Sequence, residues 1–70
     1  MKNITVKCLE NHTIYLYNKI IQVLEGEYIA ILNEQTYEYI VTNKNGDKFS
    51  VGEYFDGDII LDDMFALVRK

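Results

Sequence analysis

The stretch Tyr37–Val51, "YEYIVTNKNGDKFSV", decides the fold. Two runs of alternating apolar and polar residues flank an Asn-Gly pair, which is a strong short-range signal for a β-hairpin. A two-residue Asn45-Gly46 loop would pair Thr42 with Phe49 and Ile40 with Val51. That register places Thr42 among apolar residues and leaves Tyr39 and Val41 with the polar Ser50 and Lys48. A three-residue loop, Lys44-Asn45-Gly46 with the glycine in the left-handed position, pairs Val41 with Phe49 and Tyr39 with Val51 instead. Tyr37, Tyr39, Val41, Phe49 and Val51 then share one face, and Ile40, Thr42, Lys48 and Ser50 the other. A slip of one residue inverts every side chain, so the apolar pattern selects the three-residue loop.

The same period of two extends outward from this hairpin. "NITVKCLE" sets Ile4, Val6 and Cys8 against Asn3, Thr5 and Lys7. "KIIQVLEGE" alternates Ile21 and Val23 with Ile20, Gln22 and Leu24, and predicts a strand covered on both sides over part of its length. "EYIAILN" follows a tight turn at Glu25-Gly26-Glu27, and "MFALV" ends the pattern with Phe65 and Leu67 on one face. Six tyrosines and many β-branched residues suit strands. Helical signal is thin: "SVGEYFDGDIILDD" has room for one turn between the breakers Gly52 and Gly57. About five short strands with a central hairpin predict an all-β, small, closed or nearly closed barrel, an arrangement that removes exposed sheet edges.

Composition bounds the function. The 70 residues form one domain, 1–70, with a single small core. One cysteine, Cys8, excludes an internal disulfide and any multi-cysteine zinc site. The N-terminal "MKNITVKCLE" lacks the apolar region of a signal peptide, and no apolar run approaches the ~20 residues that span a bilayer. The expectation is a cytoplasmic protein. Seven basic against eleven acidic residues give a net charge of −4. That balance disfavours direct nucleic-acid binding and docking on anionic membranes, and fits a protein partner with a basic surface.

Several segments together resemble the small SH3-like barrel proteins of Bacillota genomes and their phages. They are the first strand "VKCLEN", the segment "LYNKIIQVLE", the hairpin "YIVTNKNGDKFSV" and the aromatic Phe65 in the last strand "MFALV". The resemblance runs from Val6 to Val68. The chain departs from it at Asn18-Lys19, where a glycine usually precedes the lysine, and in its longer acidic segment before the last strand. The resemblance implies an SH3-like barrel and a phage or mobile-element setting, in a bacterial cell or an infected host. It transfers no catalytic residue.

Cys8 and His12 would make a nucleophile pair only if the thiol were accessible and electropositive, and the alternation buries Cys8. Asp62 and Asp63 point to opposite faces of a strand, which does not suit paired acid–base work. "DGDIILDD" does not match a calcium loop, because its fifth, sixth and twelfth positions are Ile60, Leu61 and Val68. The expectation is a non-enzymatic chain with no metal and no cofactor. Glu53, Asp56, Asp58, Asp62 and Asp63 are five of the eleven carboxylates, and no Lys or Arg lies between Lys48 and Arg69. They read either as a solvated connection or, with Tyr54 and Phe55, as an acidic and aromatic surface for a basic protein. Tyr15 and Tyr17 lie where an SH3-like loop would expose them, but the chain has no tryptophan for a polyproline groove. The leading expectation is an accessory module that binds and inhibits a host or defence protein. Its alternatives are an acidic DNA mimic and a self-assembling protein, a homodimer made through a strand edge or apolar patch.

Overall fold

A computed structural model describes residues 3–69. It is all-β and contains eight strands: β1 Asn3–Cys8, β2 His12–Leu16, β3 Lys19–Val23, β4 Gly26–Asn33, β5 Glu38–Thr42, β6 Lys48–Phe55, β7 Asp58–Leu61 and β8 Phe65–Leu67. Six of them make one antiparallel sheet in the order β7-β6-β5-β4-β1-β8, and β2 and β3 form a separate two-stranded sheet. The large sheet coils into a nearly closed barrel consistent with an SH3-like small barrel.

The count of about five strands is corrected to eight, for two physical reasons. The β2–β3 hairpin projects between β1 and β4 without pairing with either. The acidic segment, which had room for one helical turn, is strand instead. Of the eight, β1, β3, β4, β5, β6 and β8 coincide with the alternating stretches of the sequence, and β2 and β7 are the additions.

The central hairpin forms as the apolar pattern requires. Val41 pairs with Phe49 and Thr42 with Lys48. The loop closes through Asn43 N–H donating to the Asp47 carbonyl (2.9 Å) and Gly46 N–H donating to the Asn43 carbonyl (3.0 Å). This leaves Lys44-Asn45-Gly46 as the three-residue loop, with Gly46 in the left-handed region at φ 85°. The Asn43 carboxamide organises the turn: its Oδ1 accepts from the backbone N–H of both Asn45 and Asp47, each at 2.9 Å. Such side-chain-to-backbone bonds are the reason asparagine favours this position.

The pairing of Tyr39 with Val51 does not form. Tyr39 pairs with Gly52 while Ile40 pairs with Ser50, so Val51 is an extra residue in a bulge. Val51 and Gly52 are both buried, which breaks the alternation and bends β6. Tyr37 is also corrected: it lies outside β5 in a four-residue turn, is 56% exposed and adopts φ 61°. Tyr39, Val41, Phe49 and Val51 remain the core face of the hairpin.

Ile4, Val6 and Cys8 of β1 complete that core, with Ala30, Phe65, Ile21 and Val23. The last two come from β3, which is buried on one face only; Ile20 and Leu24 are exposed, contrary to the two-sided cover predicted. The reason is that β2–β3 is a two-stranded flap with nothing above it. Phe49 stacks on Phe65 with ring centroids 6.4 Å apart, and Tyr28 meets Phe49 edge to face at 6.5 Å.

Gly52 sits where β6 bends and β7 returns over it. A Cβ at this position would strike the carbonyl oxygen of Ile60 and come within 2.8 Å of the Leu61 Cα. Both obstacles are tied to backbone, so a larger residue forces the strands apart. Gly52→Ala is therefore expected to destabilise the fold by about 3 kcal/mol or more, against the roughly 4–10 expected in total for a domain of this size. Gly46→Ala, where only the backbone conformation is strained, should lose about 1–2 kcal/mol. Urea unfolding of the two variants beside the wild type measures the difference.

Candidate interaction surface

The acidic segment is a second tight hairpin rather than a connection. Asp56 and Gly57 both lie in the left-handed region, at φ 53° and 83°, as a two-residue mirror-image turn requires. Phe55 pairs with Asp58, Tyr54 with Ile59, Glu53 with Ile60 and Gly52 with Leu61. Directly opposed residues share a face, so Glu53, Phe55, Asp58 and Ile60 point outward together. Tyr54, Ile59 and Leu61 form the inner face, and the last two pack against the core.

The structure thus divides the residues that the sequence grouped. Glu53, Phe55 and Asp58 form one outer face, Asp56 is at the tip, and Tyr54 turns to the opposite face at 41% exposure. Asp62 and Asp63 lie beyond the strand. The Asp62 amide donates to the Val51 carbonyl (2.9 Å) and its carbonyl accepts from Phe65 N–H (3.0 Å), so its backbone serves the turn into β8. Among the described residues no three of the His, Cys, Asp and Glu side chains group as metal ligands.

Two neighbours of this face were not picked out in the sequence. Glu38 pairs directly with Glu53 across β5 and β6. Like charges so opposed are destabilising, and nothing in the local sequence of either strand announces the pairing. Tyr37 joins the same end, its carbonyl accepting from Tyr54 N–H at 2.8 Å. The signal that could have found the hairpin was present: Asp-Gly between "EYF" and "DIIL" is the same kind of mark as Asn-Gly in the central hairpin.

β7 is an edge strand, and charges at such an edge discourage another strand from pairing with it. Asp56, Asp58 and Asp62 are explained by that alone. Phe55 is not. It is 63% exposed at the end of a projecting hairpin, beside the half-exposed Ile60.

Tyr15 and Tyr17 belong to a different surface. Tyr15 faces outward from β2 at 75% exposure, and Tyr17 occupies the β2–β3 turn, fully exposed and at φ 51°. This hairpin tip is fastened to the β5–β6 loop by Lys19 Nζ and Asp47 Oδ1, 2.8 Å apart. The loop precedes β6, whereas Phe55 ends it, so the strand separates the two tyrosines from the acidic hairpin. Tyr39 is core, and burial followed by the proximity of Tyr54 pushes its hydroxyl pKa up.

Cys8 and His12 do approach, with Sγ and Nδ1 3.5 Å apart. Both also reach the Glu10 carbonyl, the thiol at 3.1 Å and the imidazole at 3.0 Å. That carbonyl accepts, so Nδ1 bonded to it carries a hydrogen and is not free to take the thiol proton. Cys8 is completely buried, and desolvation raises its pKa, with the Glu10 carbonyl bond opposing and the Glu25 and Glu10 charges adding to the rise. His12 packs edge to face on Phe65 at 5.7 Å. The group is a satisfied corner of the core.

No family model matches the chain, and no curated protein or solved structure matches it either. The likeness to SH3-like barrels therefore stands on the strand order and the residues described above. No helix among the described residues is long and apolar enough to cross a membrane.

Two expectations follow from these groups. Cys8 should react with a thiol reagent at pH 8 only as fast as the native protein unfolds, and immediately in denaturant; rapid reaction of the folded chain would contradict the buried assignment. Asp47 is held below its ordinary value by the bond from Lys19, with Asn43 adding to it. Its folded form thus resists protonation more than the unfolded chain does. The stabilisation is present above pH ~4 and is lost as pH falls through the folded value. Acid titration of stability should therefore be shallower in Asp47→Asn than in the wild type.

Proposed function

We propose that the chain is a non-enzymatic protein-binding module whose contact surface is the outer face of the β6–β7 hairpin. The single observation that carries this is Phe55, an aromatic side chain held in solvent among Glu53, Asp58 and Asp56. Aromatic anchors supply much of the energy of interfaces, while surrounding carboxylates steer a partner and set its sign. Glu38 and Glu53 fit the same reading, because a basic side chain placed between two opposed carboxylates relieves their repulsion. The partner is then a protein with a basic patch and an apolar pocket for Phe55. In the phage or mobile-element setting that the resemblance implies, occupying such a patch on a host or defence protein would inhibit it.

The test is capture from nuclease-treated bacterial lysate with three folded proteins. They are the wild type, a hairpin variant carrying Glu53→Gln, Phe55→Ser and Asp58→Asn, and a variant carrying Tyr15→Ser and Tyr17→Ser. The proposal expects a partner retained by the wild type and the tyrosine variant and weakened about tenfold or more in the hairpin variant. Binding should also fall as salt rises. A partner lost only from the tyrosine variant would transfer the function to the β2–β3 tip. Competition by DNA for the captured protein would instead favour mimicry of nucleic acid by the carboxylates.

A further inference from the structure

The sheet carries a second outward surface, centred on β1, β4 and β5, whose apolar centre the hairpin reading does not use and which meets the hairpin face at Glu38 and Glu53. Its layout follows from the strand register. Asn3, Ile31, Ile40 and Ser50 stand side by side in one row across β1, β4, β5 and β6. In the adjacent row Thr5 stands beside Ile29, and Thr42 beside Lys48. Ile29 and Ile31 are 65% and 55% exposed, and Ile40 is half-buried. The solvent face of an antiparallel sheet is normally polar, so three isoleucines in the middle of one call for a cover.

Lys7 and Glu27 stand opposite each other across β1 and β4 and offset one another, and Arg69 lies at the β1 edge beside Thr5 and Ile29; the remaining charges are sorted by end. Beyond the Ile31–Ile40 row lie Glu38 and Glu53, directly paired. At the other end stands Lys48, its Nζ 3.1 Å from the Thr42 hydroxyl, five residues before Glu53 on β6 and roughly 16 Å away along the strand. A surface with an apolar centre, one acidic end and one basic end is complementary to itself. A twofold axis lying in the interface and running across the strands brings each end over the opposite end of the other copy. Of the remaining carboxylates, Asp56 lies in the β6–β7 turn, Asp62 and Asp63 lie past β7, and Asp58 shares the outward face but stands one row beyond Glu53, opposite Phe55.

We propose that a second copy of this chain covers the face, sheet on sheet. The Ile29, Ile31 and Ile40 side chains of the two copies interleave, and Lys48 of each lies beside the Glu38–Glu53 pair of the other. Aligned packing of twisted sheets accommodates this geometry. About a dozen outward residues take part, which corresponds to roughly 400–500 Å² from each copy and places the dimer at the weak end of specific interfaces. The expected dissociation constant is on the order of 100 μM.

Sedimentation equilibrium from about 10 μM to about 1 mM tests this, bracketing the expected constant. The weight-average mass should climb from 8.2 kDa toward twice that value. Ile31→Lys, at an exposed position that leaves the fold intact by circular dichroism, should weaken association at least about tenfold. Lys48→Glu and Glu53→Lys should each weaken it singly, and the double variant should recover it, a pattern that only the crossed arrangement of ends produces. A chain that stays monomeric to the top of the range overturns the proposal. So does a dimer indifferent to Ile31→Lys, which would associate through another surface, and so does failure of the double charge exchange to restore binding.

Discussion

Everything distinctive in this barrel depends on the close approach of β7 to β6 at Gly52. A regular antiparallel ladder would carry β6 straight past β5 and leave the sheet open. The extra residue, Val51, increases the local twist, and the missing side chain at Gly52 lets the Ile60–Leu61 backbone fold into the space. Two consequences follow from the one bend. Val51 and Gly52 are both turned into the core, and the residues beyond them, Glu53 and Phe55, are set outward. The hairpin that displays Phe55 and the closure of the core are thus a single structural decision.

The parts of the fold governed by local chemistry were legible in the residues, and the parts governed by tertiary closure were not. The Lys44-Asn45-Gly46 loop could be chosen because only one register puts Val41 opposite Phe49. Cys8 could be placed in the core because Ile4 and Val6 alternate with it. The period of two in "KFSVGEYF" holds only to Val51 and breaks at Gly52-Glu53, but that break does not say whether the chain turns, ends the strand or bulges. Tyr37 continues the alternation of Tyr39 and Val41 in sequence, yet the turn after β4 claims it at a positive φ that a tyrosine rarely adopts. Ile20 and Leu24 looked like a covered second face because apolarity alone does not say whether a neighbouring layer exists.

The candidate site was legible as a composition and not as a surface. Five carboxylates near one another in sequence suggested one patch, but a strand distributes its neighbours to two faces and a turn removes others. Asp58 and Glu53 came together because the hairpin pairs their strands. Asp62 and Asp63 left because the chain turns toward β8. Glu38 entered from fifteen residues upstream of Glu53, through a ladder that only the fold defines. The Asp56-Gly57 turn was the readable clue, and its carboxylate drew attention to charge at a position where conformation was the stronger message.

The distribution of polar groups constrains what this molecule does. Among the described residues the buried core contains no polar or charged side chain other than the tyrosine hydroxyl and the thiol within it, and no buried side-chain oxygen or nitrogen lacks a partner. The charged side chains of the described residues thus all lie outside the buried core. On the surface, charge alone decides little, because carboxylates at the edge strand are accounted for by solubility and by protection against strand pairing. Exposed apolar side chains held on rigid strands are the features that cost stability unless something covers them. Phe55 on the projecting hairpin and Ile29, Ile31 and Ile40 on the sheet are therefore the residues around which its function is best sought. Their different charge surroundings, purely acidic around Phe55 and mixed around the isoleucines, suit a basic partner and a second copy respectively.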